Sequence, residues 1–274
     1  MFSFVSNVGR KAHLLDEVTG AVCALSLNRK LRKAYTGSAY IMQRSSDSTN
    51  QTISFLGTGK VDGVTEKSFV GANTGYVTTW YDQSGNARDF TQATQANMPK
   101  TYISGTEQTK QGAKSIYFDR TTNPDTLGSA IGDYAQPNTI IFLASVDSIT
   151  SGNGRIIDSQ DGAKRHFIDI ASSNVRMSAG TQQDITGANL NLNLYICEFN
   201  GASSKIYING TAYNTPASIS TNNINGMYIG RNPANSVFYT GHFVELIMYN
   251  RILTQAERLY IQKDFKAFYK IGGA

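Results

Sequence analysis

Between Gly241 and Glu257 the chain runs a strand directly into a capped helix, a pattern that few fold classes accommodate. Phe243, Glu245, Ile247 and Tyr249 alternate with Val244, Leu246 and Met248, so both faces are largely apolar, as in an inner strand of a packed β-sandwich. Thr254 and Glu257 have capping-box spacing, in which each side chain satisfies an orphan donor at a helix start. Ile261, Phe265 and Phe268 follow at i, i+4 and i+7 and give that helix an apolar stripe to lay on the sheet.

Upstream, short apolar runs bounded by turn residues repeat the all-β rhythm. They are Ala39 to Gln43, Ser54-Phe55, Tyr76 to Tyr81, Ser115 to Asp119, Thr139 to Val146, Arg155 to Asp158, His166 to Ile170, Val175 to Ser178 and Tyr228 to Arg231. Between Leu194 and Tyr213, Asn200-Gly201 and Asn209-Gly210 punctuate a three-stranded meander, since Asn-Gly suits tight β-turns. The reading is all-β: a two-sheet jelly-roll β-sandwich with a short N-terminal helix and a C-terminal helix. The N-terminal helix is placed over 24–35. There Leu27, Leu31 and Tyr35 interleave with Arg29, Lys30, Arg32 and Lys33 at helical spacing, and Thr36-Gly37 ends the run. Those basic residues form the solvated side of the helix, the alternative being a phosphate-binding patch.

With 274 residues and no linker-like stretch, the division is a lead-in arm over 1–17 and one sandwich domain over 18–274. Charged residues make up only 16%, and the net charge of +5 is not gathered into a basic face, which argues against a nucleic-acid partner. No run approaches the ~18 apolar residues of a membrane span and no secretory leader opens the chain, so synthesis in a cytoplasm without membrane insertion is expected. Cys23 and Cys197 lack paired spacing and read as core thiols; His13, His166 and His242 are isolated, and no metal site is expected. Asp62, Asp119, Asp125 and Asp158 are candidates for calcium, but no loop with calcium spacing is visible, so no cofactor is expected.

Two resemblances sit on these blocks. The ending, with Lys205 to Gly210 and Tyr228 to Arg231, resembles the concanavalin A-like, laminin-G-type jelly rolls. Leu31 to Gly37, Arg44 to Asp47, Val77-Thr78-Thr79-Trp80-Tyr81-Asp82-Gln83-Ser84-Gly85-Asn86 and Thr91 to Ala93 resemble the N-terminal half of the α-L-arabinofuranosidase B catalytic domain. The combination also resembles modules of bacteriophage virion proteins, on capsid or tail. A retaining glycosidase needs two carboxylates roughly 5 Å apart. The resemblance implies a Glu nucleophile after an Ala-Asp-Leu-like strand and an Asp after an Ile-Gly-Gly-like turn. Here His166 to Ser173 offers no Glu, with Ser172 at the apparent position, and Ile229-Gly230-Arg231 leads to Asn232, an amide that cannot exchange a proton.

The expectation that follows is a non-catalytic bacteriophage virion protein, for capsid decoration or tail-fibre adhesion, located in the virion. Its partners would be other virion proteins, sister copies in a homo-oligomer and a cell-surface glycan. Phe2, Phe4, Val5 and Val8 are the candidate assembly residues, and Trp80, Tyr81, Asp82 and Asn232 the candidate carbohydrate ligands, against a core-and-turn role for Trp80 to Gln83. Glu245, inside an apolar strand, needs a partner, and Arg251 is the candidate. The alternatives are an α-L-arabinofuranosidase-like retaining glycoside hydrolase using Asp169 or another carboxylate, and a stand-alone carbohydrate-binding module.

Overall fold

The computed structural model describes residues 13–121, 123–149, 154–171, 173–215 and 217–271. Its strands pair antiparallel throughout and form a concanavalin A-like jelly roll with a few helices. In one layer Gly241–Tyr249 is central. It pairs with Asn138–Val146 on one flank and with Ala21–Ser26 and Ile116–Phe118 on the other. Asn138–Val146 continues into the meander Asn193–Phe199, Lys205–Ile208, Thr211–Asn214. In the other layer Ile224–Ile229 lies between Leu127–Tyr134 and Gly154–Asp158. Beyond Gly154–Asp158 come Phe167–Ala171, Asn174–Ser178 and Gln182–Thr186. Beyond Leu127–Tyr134 come Phe90–Thr91, Gly75–Trp80, Tyr40–Arg44 and Asn50–Ile53. Lys100–Ile103 pairs with both Gly75–Trp80 and Ile116–Phe118 and so joins the layers at one edge.

Alternation along the strands builds two apolar layers. Ile140, Phe142 and Ala144 point between the sheets with Trp80, Phe118, Tyr195 and Phe243. Ile141 and Leu143 point the other way, beneath the C-terminal helix α3 (Gln255–Tyr269), which buries Ile261, Phe265 and Tyr269 on them. The α3 start is a complete capping box: Thr254 Oγ1 accepts from Glu257 N–H, and the Glu257 carboxylate accepts from Thr254 N–H. Among the described residues no helix is long and apolar enough to cross a membrane. At the meander's second turn Asn209 (φ 52°) and Gly210 (φ 98°) are both left-handed, as a two-residue hairpin turn with the sheet's twist requires.

Three expectations are corrected. No helix spans 24–35: Ala21–Ser26 is a strand completing the sheet beside Gly241–Tyr249, and the residues after it form a loop. The N-terminal helix is instead α1 (Leu14–Glu17), and a second, α2 (Gly63–Val70), was not foreseen. Leu27 and Leu31 are buried, yet the loop's polar needs are met by Gln83, which accepts from Leu31 N–H and donates to the Arg29 carbonyl. Strict alternation along 243–249 also fails. Leu143 faces Glu245 and Ala144 faces Phe243, so Val244 is the extra residue of a bulge and Phe243 joins Leu246 and Met248 on the inner face. Finally, Glu245 pairs with Arg29, at 2.8 Å, and not with Arg251, which pairs with Glu257 at 2.6 Å. Phe2, Phe4, Val5 and Val8 lie outside the described residues.

Candidate active site

The outer face of the second layer carries an ionic cluster that alternation alone would not assemble. In Phe167–Ala171, Ile168 and Ile170 point to the core, which turns Phe167 and Asp169 outward. In Gly154–Asp158 a bulge between Arg155 and Ile157 lets Arg155 and Asp158, three residues apart, converge on the same cluster. Arg176, directly across from Asp169, completes the row.

The Arg155 guanidinium holds two carboxylates, Asp158 at 2.9 Å and Asp169 at 3.2 Å. Asp169 also takes a two-pronged hydrogen bond from Arg176, Nε at 2.5 Å and NH2 at 2.7 Å. Asp158 receives Arg165 at 2.9 Å. Phe167 lies under both cations, with its ring centroid 3.6 Å from Arg155 Cζ and 5.1 Å from Arg165 Cζ. Both carboxylates are fully buried, whereas the side chains of Arg165 and Arg176 remain 31% and 13% exposed and form the solvent side of the cluster. Burial pushes the Asp158 carboxyl up to about 6, against the opposing pull of Arg155 and Arg165. Burial likewise pulls Arg155 below its ordinary value.

Next to the cluster, Tyr228 stands across from Asp158, and Arg231 lies on its ring with Cζ 4.0 Å from the centroid. A hollow of about 350 Å³ lined by Gly132, Gln160, Asp161 and Gly226 adjoins on the same side. Larger hollows of about 660 and 750 Å³ lie elsewhere, around Asn86 and around the Gly57–Gly59 turn. Their acids Asp16 and Glu17 are solvent-exposed, whereas Asp158 is fully buried.

The residues singled out from sequence are not gathered in one place. Trp80 is fully buried and meets Phe243 edge-on at 6.1 Å. Asp82 is buried in the turn that follows, accepting from the backbone N–H groups of Ala24, Ser84 and Arg88, while Tyr81 is half-buried. Asn232 belongs to the Arg231 side: its Oδ1 accepts from Ser236 and Val237 N–H and organises the loop over 232–237. Ser172 lies outside the described residues. Of the calcium candidates, Asp62 caps α2, Asp125 pairs with Lys100 at 2.7 Å, and Asp158 belongs to the arginine cluster. Among the described residues no three metal-ligating side chains cluster. Arg155, Arg165, Arg176 and Arg231 escaped sequence reasoning because they are scattered along the chain. The available signal was the unusual pairing of Arg or Asp with apolar neighbours inside strands.

Residues 16–125 match the family model "Alpha-L-arabinofuranosidase B, catalytic", and residues 130–257 match the "Concanavalin A-like lectin/glucanases superfamily" model. An α-L-arabinofuranosidase B of Emericella nidulans is 42% identical over 76 residues, which are 27% of this chain and 15% of that protein. An α-L-arabinofuranosidase of Hypocrea jecorina is 39% identical over 75 residues, with the same coverage. The chain thus aligns with only a small part of these curated relatives. Among solved structures, a mutant GH54 α-L-arabinofuranosidase soaked with 4-nitrophenyl α-L-arabinofuranoside superposes with a TM-score of 0.75 at 16% identity, over 93% of this chain and 64% of that one. An arabinofuranosidase complexed with arabinofuranosyl-α-1,2-xylobiose gives 0.67 at 17%, with the same coverage. This likeness is one of fold. Together the matches overturn the expectation of a non-catalytic bacteriophage virion protein: the N-terminal part matches a catalytic-domain model, and nearly the whole chain has the fold of an arabinofuranosidase.

Proposed function

We propose that this chain is a glycoside hydrolase acting on α-L-arabinofuranosides, with Asp158 and Asp169 as its carboxylate pair. The observation that carries the reading is the single Arg155 guanidinium holding both carboxylates on one face of the arabinofuranosidase-like fold. The positions at which the sequence resemblance looked for carboxylates hold neither Glu nor Asp. Asp169, however, lies on the strand Phe167–Ala171, three residues before Ser172, and is the carboxylate nearest to that position in the sequence.

The two acids differ in environment, as an acid and a nucleophile must. Asp158, desolvated and protonated up to about pH 6, donates its proton to the glycosidic oxygen as the C–O bond breaks. Asp169, aimed by Arg176 and Arg155, attacks the anomeric carbon to form a glycosyl ester. The Asp158 carboxylate left behind then takes a proton from the water that hydrolyses that ester.

Turnover of 4-nitrophenyl α-L-arabinofuranoside by the full chain tests the reading. Asp169→Asn and Asp158→Asn are each expected to lower kcat/KM by about 100-fold or more. In the unsubstituted protein, kcat/KM is expected to fall as pH rises through about 6, where Asp158 loses its proton. Activity no greater than buffer, or activity unchanged in both variants, would overturn it.

A further inference from the structure

Arg155, Arg165 and Arg176 each face a carboxylate, but Arg231, on the same face, forms no ion pair among the described residues. Its NH1 donates to Asn235 Oδ1 at 3.2 Å. Its Nε is buried and has no hydrogen-bond partner among the described residues. The Nε of Arg155, a residue only 5% exposed, is in the same condition. Buried donors left unpaired are costly, by about 1 to 3 kcal/mol each, and native structures seldom keep them without a role.

The Arg231 guanidinium is also held in place before any ligand arrives. Gly230 (φ +99°) turns the chain where a Cβ would meet the Asp125 carbonyl oxygen at 2.5 Å. The turn places Arg231 over the Tyr228 ring, and Asn232 fixes the loop that presents Asn235 to it. The outcome is a half-buried guanidinium with its Nε enclosed, its NH1 braced on Asn235 and no carboxylate paired with it among the described residues. A guanidinium so placed donates N–H hydrogen bonds to the oxygens of a carboxylate.

We propose that Arg231, stacked on Tyr228, binds the carboxylate of an acidic sugar residue, so that the glycan this face takes is a uronate-bearing one. The proposal rests on the reading of this face as the sugar site and adds the substrate class. Asp158, Asp169 and the exposed Asp184, which stands across from Arg176, also face this surface. They disfavour an anion placed anywhere but at the uncompensated arginine.

Calorimetric titration of the intact protein with methyl glucuronide and methyl glucoside tests this, with galactose 6-sulfate as a third arm. Glucuronide is expected to bind at least about tenfold tighter than glucoside. Arg231→Gln is expected to abolish the difference, and Arg231→Lys, which keeps the charge and loses the fork, to retain only part of it. Thermal melts like that of the unsubstituted protein would show both variants folded. Tighter binding of the sulfate than of the glucuronide would overturn the carboxylate assignment. Equal affinities for glucuronide and glucoside, no binding of either, or discrimination unchanged in Arg231→Gln would overturn the proposal outright. The binding arm does not require turnover. Arg231-dependent discrimination without hydrolysis would refute only the glycosidase reading, and hydrolysis without discrimination only this one.

Discussion

His166 shows at the residue scale what burial does to a titratable group in this sandwich. It is fully buried with its ring centroid 3.7 Å from that of Phe199, and its Nε2 has no hydrogen-bond partner among the described residues. Burial lowers its pKa from the ordinary 6.5 to about 3. The unfolded chain therefore binds a proton at this site between about pH 6.5 and 3 that the folded one does not. Its contribution to stability is fully present above pH 6.5 and is lost as pH falls through that window. His166→Leu, similar in bulk and unable to titrate, is expected to flatten the part of the stability-versus-pH curve between about 3 and 6.5. Urea unfolding midpoints across that range would check it, and a curve as steep as that of the unsubstituted protein would refute the assignment. The same desolvation acts with the opposite sign at Asp158, whose neutral form is the protonated one.

Element α3 shows how far local rules carry. Its capping box is complete and Ile261 and Phe265 are fully buried, because both features depend on residues within a few positions of each other. Phe265→Ala is expected to cost about 3 to 5 kcal/mol, the usual penalty for emptying a buried ring site, and chemical denaturation would measure it. Asn138–Val146, Asn193–Phe199, Lys205–Ile208 and the Asn209-Gly210 turn were legible for the same local reason, whereas Asn50–Ile53, Leu127–Tyr134 and Gln182–Thr186 were not. The segment 24–35 was not. Leu27 and Leu31 satisfy helical spacing, but Ala21–Ser26 gains its backbone partners from residues more than two hundred positions away, and long-range pairing overrides local periodicity. The bulge at Val244 was equally hidden, since an extra residue leaves no mark on the alternation it breaks. Asp169 and Asp158 were offered singly by the sequence, but their grouping with the arginines was illegible for a further reason. Arg155, Asp158, Asp169, Arg176 and Arg231 become neighbours only through strand register and a second bulge, and no spacing rule joins them.

The whole molecule holds two apolar layers together, and the outer one depends on an ionic knot. Arg29, from the loop after the first strand, bonds Glu245 on the central strand through Nε at 3.1 Å and NH2 at 2.8 Å, and also reaches Asp264 on α3. Tyr269, from the last turn of α3, donates to Glu245 at 2.6 Å, and Phe265 and Phe268 lie 5.1 and 4.6 Å from Arg29 Cζ. Both members of the pair are buried, so their attraction is set against the loss of hydration, and their joint worth is far smaller than the damage done by removing one. Arg29→Met alone leaves Glu245 charged and enclosed and is expected to destabilise the protein by about 3 to 5 kcal/mol. Arg29→Met with Glu245→Leu removes the enclosed charge together with its partner and is expected to recover most of that loss. Equilibrium urea unfolding of the two single variants and the double variant provides the cycle. A double variant as unstable as the sum of the singles would mean that Arg29 and Glu245 act independently, and that the knot does not couple the N-terminal loop, the central strand and α3.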